Sequence, residues 1–235
     1  LNITLRAQGD VTLGNNVDLT TLGGGVTVSG ANDTGAVLGG SATGAGSFTM
    51  NSTSTINTTG KANTAGGAVD ISTAVRNPSG GNTTGSITIG GDITTSGGTA
   101  SSSVGQAGGT VDLVTTGAGT LTISTGADIV TTGSAGNGSN NNGGAGGAVT
   151  LNTANTAVTL NDTSIQTGGG AKAGSGTDGA GGTITISDPL TLATGGVTLD
   201  TGATAGGVTI SSTINGAVDL DITSGTGAVA IQGVV

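Results

Sequence analysis

Residues able to do acid–base or nucleophilic chemistry are scarce in this chain of 235 residues. It has no His and no Cys, four Lys plus Arg, and thirteen acidic residues, every one of them Asp. Without imidazole or thiol there is no ordinary zinc or haem ligation, no disulfide and no triad built on His or Cys. A general acid/base pair would have to come from Asp alone. Asp working with a basic partner would call for Arg or Lys clustered beside it, but Arg6, Lys61, Arg76 and Lys172 are scattered. Arg76 lies in Arg76-Asn77-Pro78, which reads as a turn. The expectation is therefore a protein that is not an enzyme, with no catalytic, cofactor-binding or metal-binding residues to assign.

One acidic spacing invites a metal. Asp70 and Asp112 occupy the same place in the words Val69-Asp70-Ile71 and Val111-Asp112-Leu113. Stacked on adjacent parallel strands they would stand ~5 Å apart. Like charges so placed repel unless water or a cation screens them. Ca²⁺ is the hard cation such a pair would take. Two solvated carboxylates tolerating each other is the simpler expectation. The segment Gly174–Gly182 faintly echoes a calcium-binding β-roll nonapeptide, but it is not repeated in tandem and reads as a Gly-rich loop.

Charge and aromatic content exclude other partners. A net charge of -9 is wrong for a nucleic-acid surface, and a single Phe with no Trp or Tyr provides no stacking platform. No apolar run approaches the ~20 residues of a spanning helix. The aromatic girdles of a membrane barrel cannot be supplied. The chain opens on Leu1-Asn2-Ile3-Thr4-Leu5, which alternates like a strand and has no signal-peptide pattern. Its last residues, Gly227 to Val235, still read as strand, so both ends look cut from a longer repetitive chain.

The elements that position these groups are short strands. An aliphatic–small polar–aliphatic word recurs as Val26-Thr27-Val28, Val69-Asp70-Ile71, Ile87-Thr88-Ile89, Val111-Asp112-Leu113, Leu121-Thr122-Ile123, Val149-Thr150-Leu151 and Val218-Asp219-Leu220, among others. Such alternation of β-branched residues predicts strands of ~4–6 residues with one dry face and one wet face. A larger unit sits above the word. The tag Gly-Gly-(Ala/Thr)-(Val/Ile) opens a strand at Gly66, Gly108, Gly146 and Gly181. Three strands follow each tag, and then a Gly-rich loop of variable length, near 97–109, 133–147 and 168–182. Three strands per unit with insertions at one corner predict a parallel β-helix of about seven coils, ~35 Å long at the strand spacing. The crossover preference makes it right-handed. Its first inward column would hold Val26, Val69, Val111, Val149, Ile184 and Val208. About six aliphatic side chains per coil would form the core, each contributing roughly 1.5–3 kcal/mol. The whole chain, 1–235, reads as one elongated solenoid segment. Low charge per residue and a mean hydropathy of +0.19 favour order over disorder.

Units such as Gly146–Thr153, Gly-Gly-Ala-Val-Thr-Leu-Asn-Thr, resemble the β-helical shafts of filamentous-haemagglutinin-type adhesins and related large bacterial surface proteins. The resemblance spans essentially the whole chain through generic motifs. It implies export to the cell surface and a role as stalk, fibre or adhesin. The expected function is thus an extracellular structural shaft that self-associates, because an uncapped coil can template another chain. The alternative is a cell-adhesion module that contacts a surface or neighbouring cell through its loops or a Thr-rich face. Ice binding by Thr rows ranks below both, since Asp interrupts the first-strand row.

Overall fold

The computed structural model of the protein describes residues 1–7, 9–30, 46–73 and 85–234. Among these residues there is no helix; 22 strands of two to five residues wind into a right-handed parallel β-helix. One coil shows the plan: β10 (Val111–Thr115), β11 (Leu121–Ile123) and β12 (Ile129–Val130). Every third strand joins the same sheet. The first sheet has eight strands, from β1 (Ile3–Arg6) to β22 (Val229–Ile231). The second has seven, from β2 (Val11–Leu13) to β20 (Ile214–Gly216), and the third seven, from β3 (Asp18–Thr20) to β21 (Leu220–Thr223). Seven full coils and the opening strand of an eighth match the length expected from the repeat count. No helix of the described residues is long and apolar enough to cross a membrane.

Register is set by the aliphatic alternation, because a slip of one residue would turn every core side chain to water. Val26 pairs with Val69, Val69 with Val111, Val111 with Val149, Val149 with Ile184, and Ile184 with Val208. All are fully buried. The fourth coil buries Val111, Leu113, Leu121, Ile123 and Ile129, and the sixth buries Ile184, Ile186, Leu190, Leu192, Val197 and Leu199. Five large aliphatics therefore suffice where the third strand is only two residues long, one fewer than the sequence suggested. The strands are also shorter than expected, since a three-residue word already places two side chains inward.

Two further expectations need correction. The word Val218-Asp219-Leu220 is not a strand; the strand there starts at Leu220 and pairs Leu220 with Val197 and Ile222 with Leu199. The turn expected at Arg76-Asn77-Pro78 lies outside the described residues.

Burial depends on both neighbours. Val229 and Ile231 on the last rung are 46% and 41% exposed, whereas their partners Val208 and Ile210 one rung in are at 0%. An interior rung should accordingly be the costliest to damage. Leu113→Ala is expected to destabilise by about 2–5 kcal/mol, and Ile231→Ala by less than half of that, as read from urea unfolding midpoints.

Candidate functional site

The outward faces come first. On the first sheet, Thr27, Asp70, Asp112, Thr150, Thr185 and Thr209 form one row, as the word alignment requires. Asp70 and Asp112 are direct partners. Partial burial on the sheet, and then the neighbouring Asp112 charge, push the Asp70 carboxyl above its ordinary value. Thr27 and Thr150 flank the pair, so it offers only two carboxylates. Among the described residues no three His, Cys, Asp or Glu side chains gather as metal ligands, whereas calcium takes six to eight oxygens.

The second sheet carries a row that the sequence reading missed. Thr12, Thr49, Thr88, Thr122, Thr159 and Thr191 align outward on six consecutive rungs before Asn215 ends the series. Its members were visible as the middle residues of second-strand words. The differing lengths of the intervening loops hide their common column.

The third corner holds the least expected structure. The segments read as loops are not irregular. Each leaves the third strand as an outgoing arm and comes back to the first strand as a returning arm. In the fourth coil, the N–H groups of Gly143 and Gly146 donate to Thr177 and Ala180 of the next coil. Those of Gly144 and Gly147 donate sideways, to Ser134 and Thr131 of the outgoing arm. Hydrogen-bond direction thus repeats every three residues, the signature of a threefold extended chain. Arms cross-bond between coils as well: Ser134 N–H donates to Gln106, and Gly170 N–H to Gly144. Glycine is required at the packed positions. A Cβ on Gly147 would lie 1.9 Å from the Gly109 carbonyl oxygen, and one on Gly170 1.9 Å from that of Ser134. The result is a ribbed fin of neutral backbone on one edge of the solenoid.

A buried Thr closes each coil at the base of this fin. The hydroxyls of Thr58, Thr95, Thr131, Thr167 and Thr201 donate to the carbonyls of Gly67, Gly109, Gly147, Gly182 and Gly206 at 2.5–2.7 Å. In four of these coils the Gly N–H donates back to the carbonyl of the same Thr. The signal was present in the sequence as Thr two residues after the third-strand aliphatic, as in Ile93-Thr94-Thr95 and Ile165-Gln166-Thr167.

Most of the carboxylates whose contacts are defined serve the stack. Asp10 Oδ1 accepts from Ser47 N–H, Asp92 Oδ1 from Asp128 N–H, and Asp128 Oδ1 from Ser164 N–H, at 2.8–3.0 Å. Buried Asp188 accepts from the N–H groups of Thr153 and Asn155 in the coil before it. Asp178 accepts from Lys172 N–H six residues earlier in its own arm. That contact engages the one carboxylate of Gly174–Gly182.

Among the described residues the cations are not brought together. Arg6 lies on the outward side of the first strand, and Lys61 and Lys172 lie on exposed arms of different coils. Two shallow cavities flank the fin. One of about 280 Å³ is lined by Gly169, Gly170, Ala171, Asp178, Ala203 and Thr204, and one of about 250 Å³ lies beside Ser134–Asn137. Both fall below the usual size of a small-molecule pocket, which starts at roughly 300 Å³.

The fold and these surfaces define a parallel β-solenoid repeat protein. The chain matches no family profile, no curated protein and no solved structure.

Two outcomes are expected. Thr131→Val, which strands the buried Gly147 carbonyl, should cost about 1–3 kcal/mol, while Thr122→Val on the outward row should change stability by less than about 0.5 kcal/mol; chemical denaturation compares them. Asp70 binds its proton more readily folded than unfolded, so its contribution to stability falls as pH rises above the unfolded value near 3.8. Asp70→Asn should raise the melting temperature at pH 7, and this advantage should vanish at a pH well below 3.8.

Proposed function

We propose that this segment is a mechanical shaft: part of an extracellular fibre or adhesin on a bacterial surface, of the filamentous-haemagglutinin type. The observation that carries the reading is where the polar groups go. The buried Thr hydroxyls at the base of the fin, Asp10, Asp92, Asp128 and Asp188, and many of the Gly amides are directed into bonds between or within coils, and few polar groups converge on a cleft. A segment of that kind resists extension and proteolysis, because opening one rung exposes the aliphatic side chains of its neighbours. Its place is outside the cell, secreted or surface-held, without membrane insertion or nucleic acid, and it needs no cofactor and performs no catalysis. Any Ca²⁺ at the Asp70–Asp112 pair is a loosely held counter-ion.

Self-association belongs to this reading. Where an end rung meets no further coil, its parallel strand edge presents backbone donors and acceptors that suit the opposite end of another solenoid. A second reading, a binding module for a cell surface, draws on the unbroken Thr row from Thr12 to Thr191 and on the fin. An ordered-water surface would use the same Thr row, although one Thr per coil is a narrow strip for ice.

Immunogold electron microscopy of intact source cells, with antibody raised to this segment, tests the proposal. Label is expected along filaments projecting from the surface. Label confined to the cell interior would refute it.

A further inference from the structure

The threefold arms bond in only two of their three directions. In the returning arms, the first Gly of the triplet donates along the axis at Gly66, Gly108 and Gly146, and the second donates sideways to an outgoing arm at Gly67, Gly109, Gly147 and Gly182. The third residue of the triplet points away from the fin. The N–H groups of Ala107, Ala145 and Ala180, and those of Ala68, Thr110, Ala148 and Thr183, donate to no acceptor among the described residues. The carbonyls of Gly66, Gly108, Gly146 and Gly181 accept from no donor among them. These residues align on four consecutive coils, so the face carries rows of donors and acceptors at the strand spacing.

We infer that this returning-arm face is an interface with a second copy of the chain, which supplies the third hydrogen-bonding direction of the glycine array. Three features favour a second copy over any other occupant. The face is self-complementary, since free amides and free carbonyls alternate along each arm and any other copy repeats them at the same rung spacing. Its side chains are Ala and Thr, small enough for two backbones to approach to hydrogen-bonding distance. Its arm residues from Gly105 to Thr110, Gly143 to Ala148 and Gly179 to Thr183 carry no charge, so the two arm backbones meet without a carboxylate between them, and Asp70 and Asp112 stand two residues further on, along the first sheet. The contact is lateral, side by side along parallel or antiparallel shafts. It does not depend on end-to-end joining or on a role at the cell surface. One face is small, so a single pair is weak, and many coils in register make the association strong.

Cysteine probes and proline variants of the otherwise Cys-free chain test this. Ala145→Cys on the returning-arm face and Ala135→Cys on the outgoing-arm face are each treated with a short bis-maleimide at rising protein concentration, with circular dichroism confirming the fold. Covalent dimers are expected through Cys at 145 at least about tenfold faster than through Cys at 135. In parallel, Ala107→Pro, Ala145→Pro and Ala180→Pro together remove only outward N–H donors and suit the φ of a threefold extended arm. The triple variant should keep the strand signal and lower the association constant, read by sedimentation velocity, by about two orders of magnitude. Equal cross-linking at both positions, a strictly monomeric parent up to millimolar concentration, or a folded triple variant that associates as the parent does would each overturn the inference. If the triple variant does not fold, the cross-linking comparison decides alone.

Discussion

One interaction supports everything else: the backbone hydrogen bond that runs along the axis from each coil to the next. A single coil can bond few of its own peptide groups, and its aliphatic side chains are covered only by the coils above and below. Stacking settles both problems at one spacing, which is why Val111 faces Val69 on one side and Val149 on the other. The exposed Val229 and Ile231 of the last rung show the same dependence from the other direction. Stability is therefore a property of neighbours, as in other quasi-one-dimensional repeats.

Where the backbone cannot continue that pattern, side chains imitate it. Asp92 and Asp128 each place a carboxylate oxygen where the next coil's N–H needs an acceptor. The single methylene of Asp reaches across one rung, which gives a physical reason for an acidic complement made of Asp with no Glu. The buried Thr at the base of the fin acts likewise, tying the outgoing chain to the returning one where no strand closes the coil. Glycine takes the complementary role: at Gly147 and Gly170 any side chain would collide with a neighbouring carbonyl, so close packing itself selects the residue. Composition that resembles low-complexity sequence thus encodes a dense hydrogen-bonded lattice.

The solenoid was legible in the sequence because its signals are local. The Val–Thr–Leu words, the Gly-Gly tags and three words per tag lead to the three sheets and to the register of the first column, including the Asp70–Asp112 partnership. The fin was not legible. Its order lies in bonds between segments far apart in sequence, and Gly, Ala and Ser carry no alternation to reveal a three-residue period. The Thr row on the second sheet escaped for a related reason: connections of variable length hide the alignment of Thr88 with Thr122 and Thr159. The misplaced strand at Val218 came from a word with the right letters, where pairing to Val197 favoured the next aliphatic pair.

Methyl-resolved NMR on Ile-, Leu- and Val-labelled protein tests the stacked column most directly. Val111 methyls should show through-space contacts to both Val69 and Val149, and Leu113 methyls to both Ile71 and Leu151. Contacts shifted to other rungs, or a single narrow set of unstructured methyl shifts, would contradict the solenoid and every role built upon it.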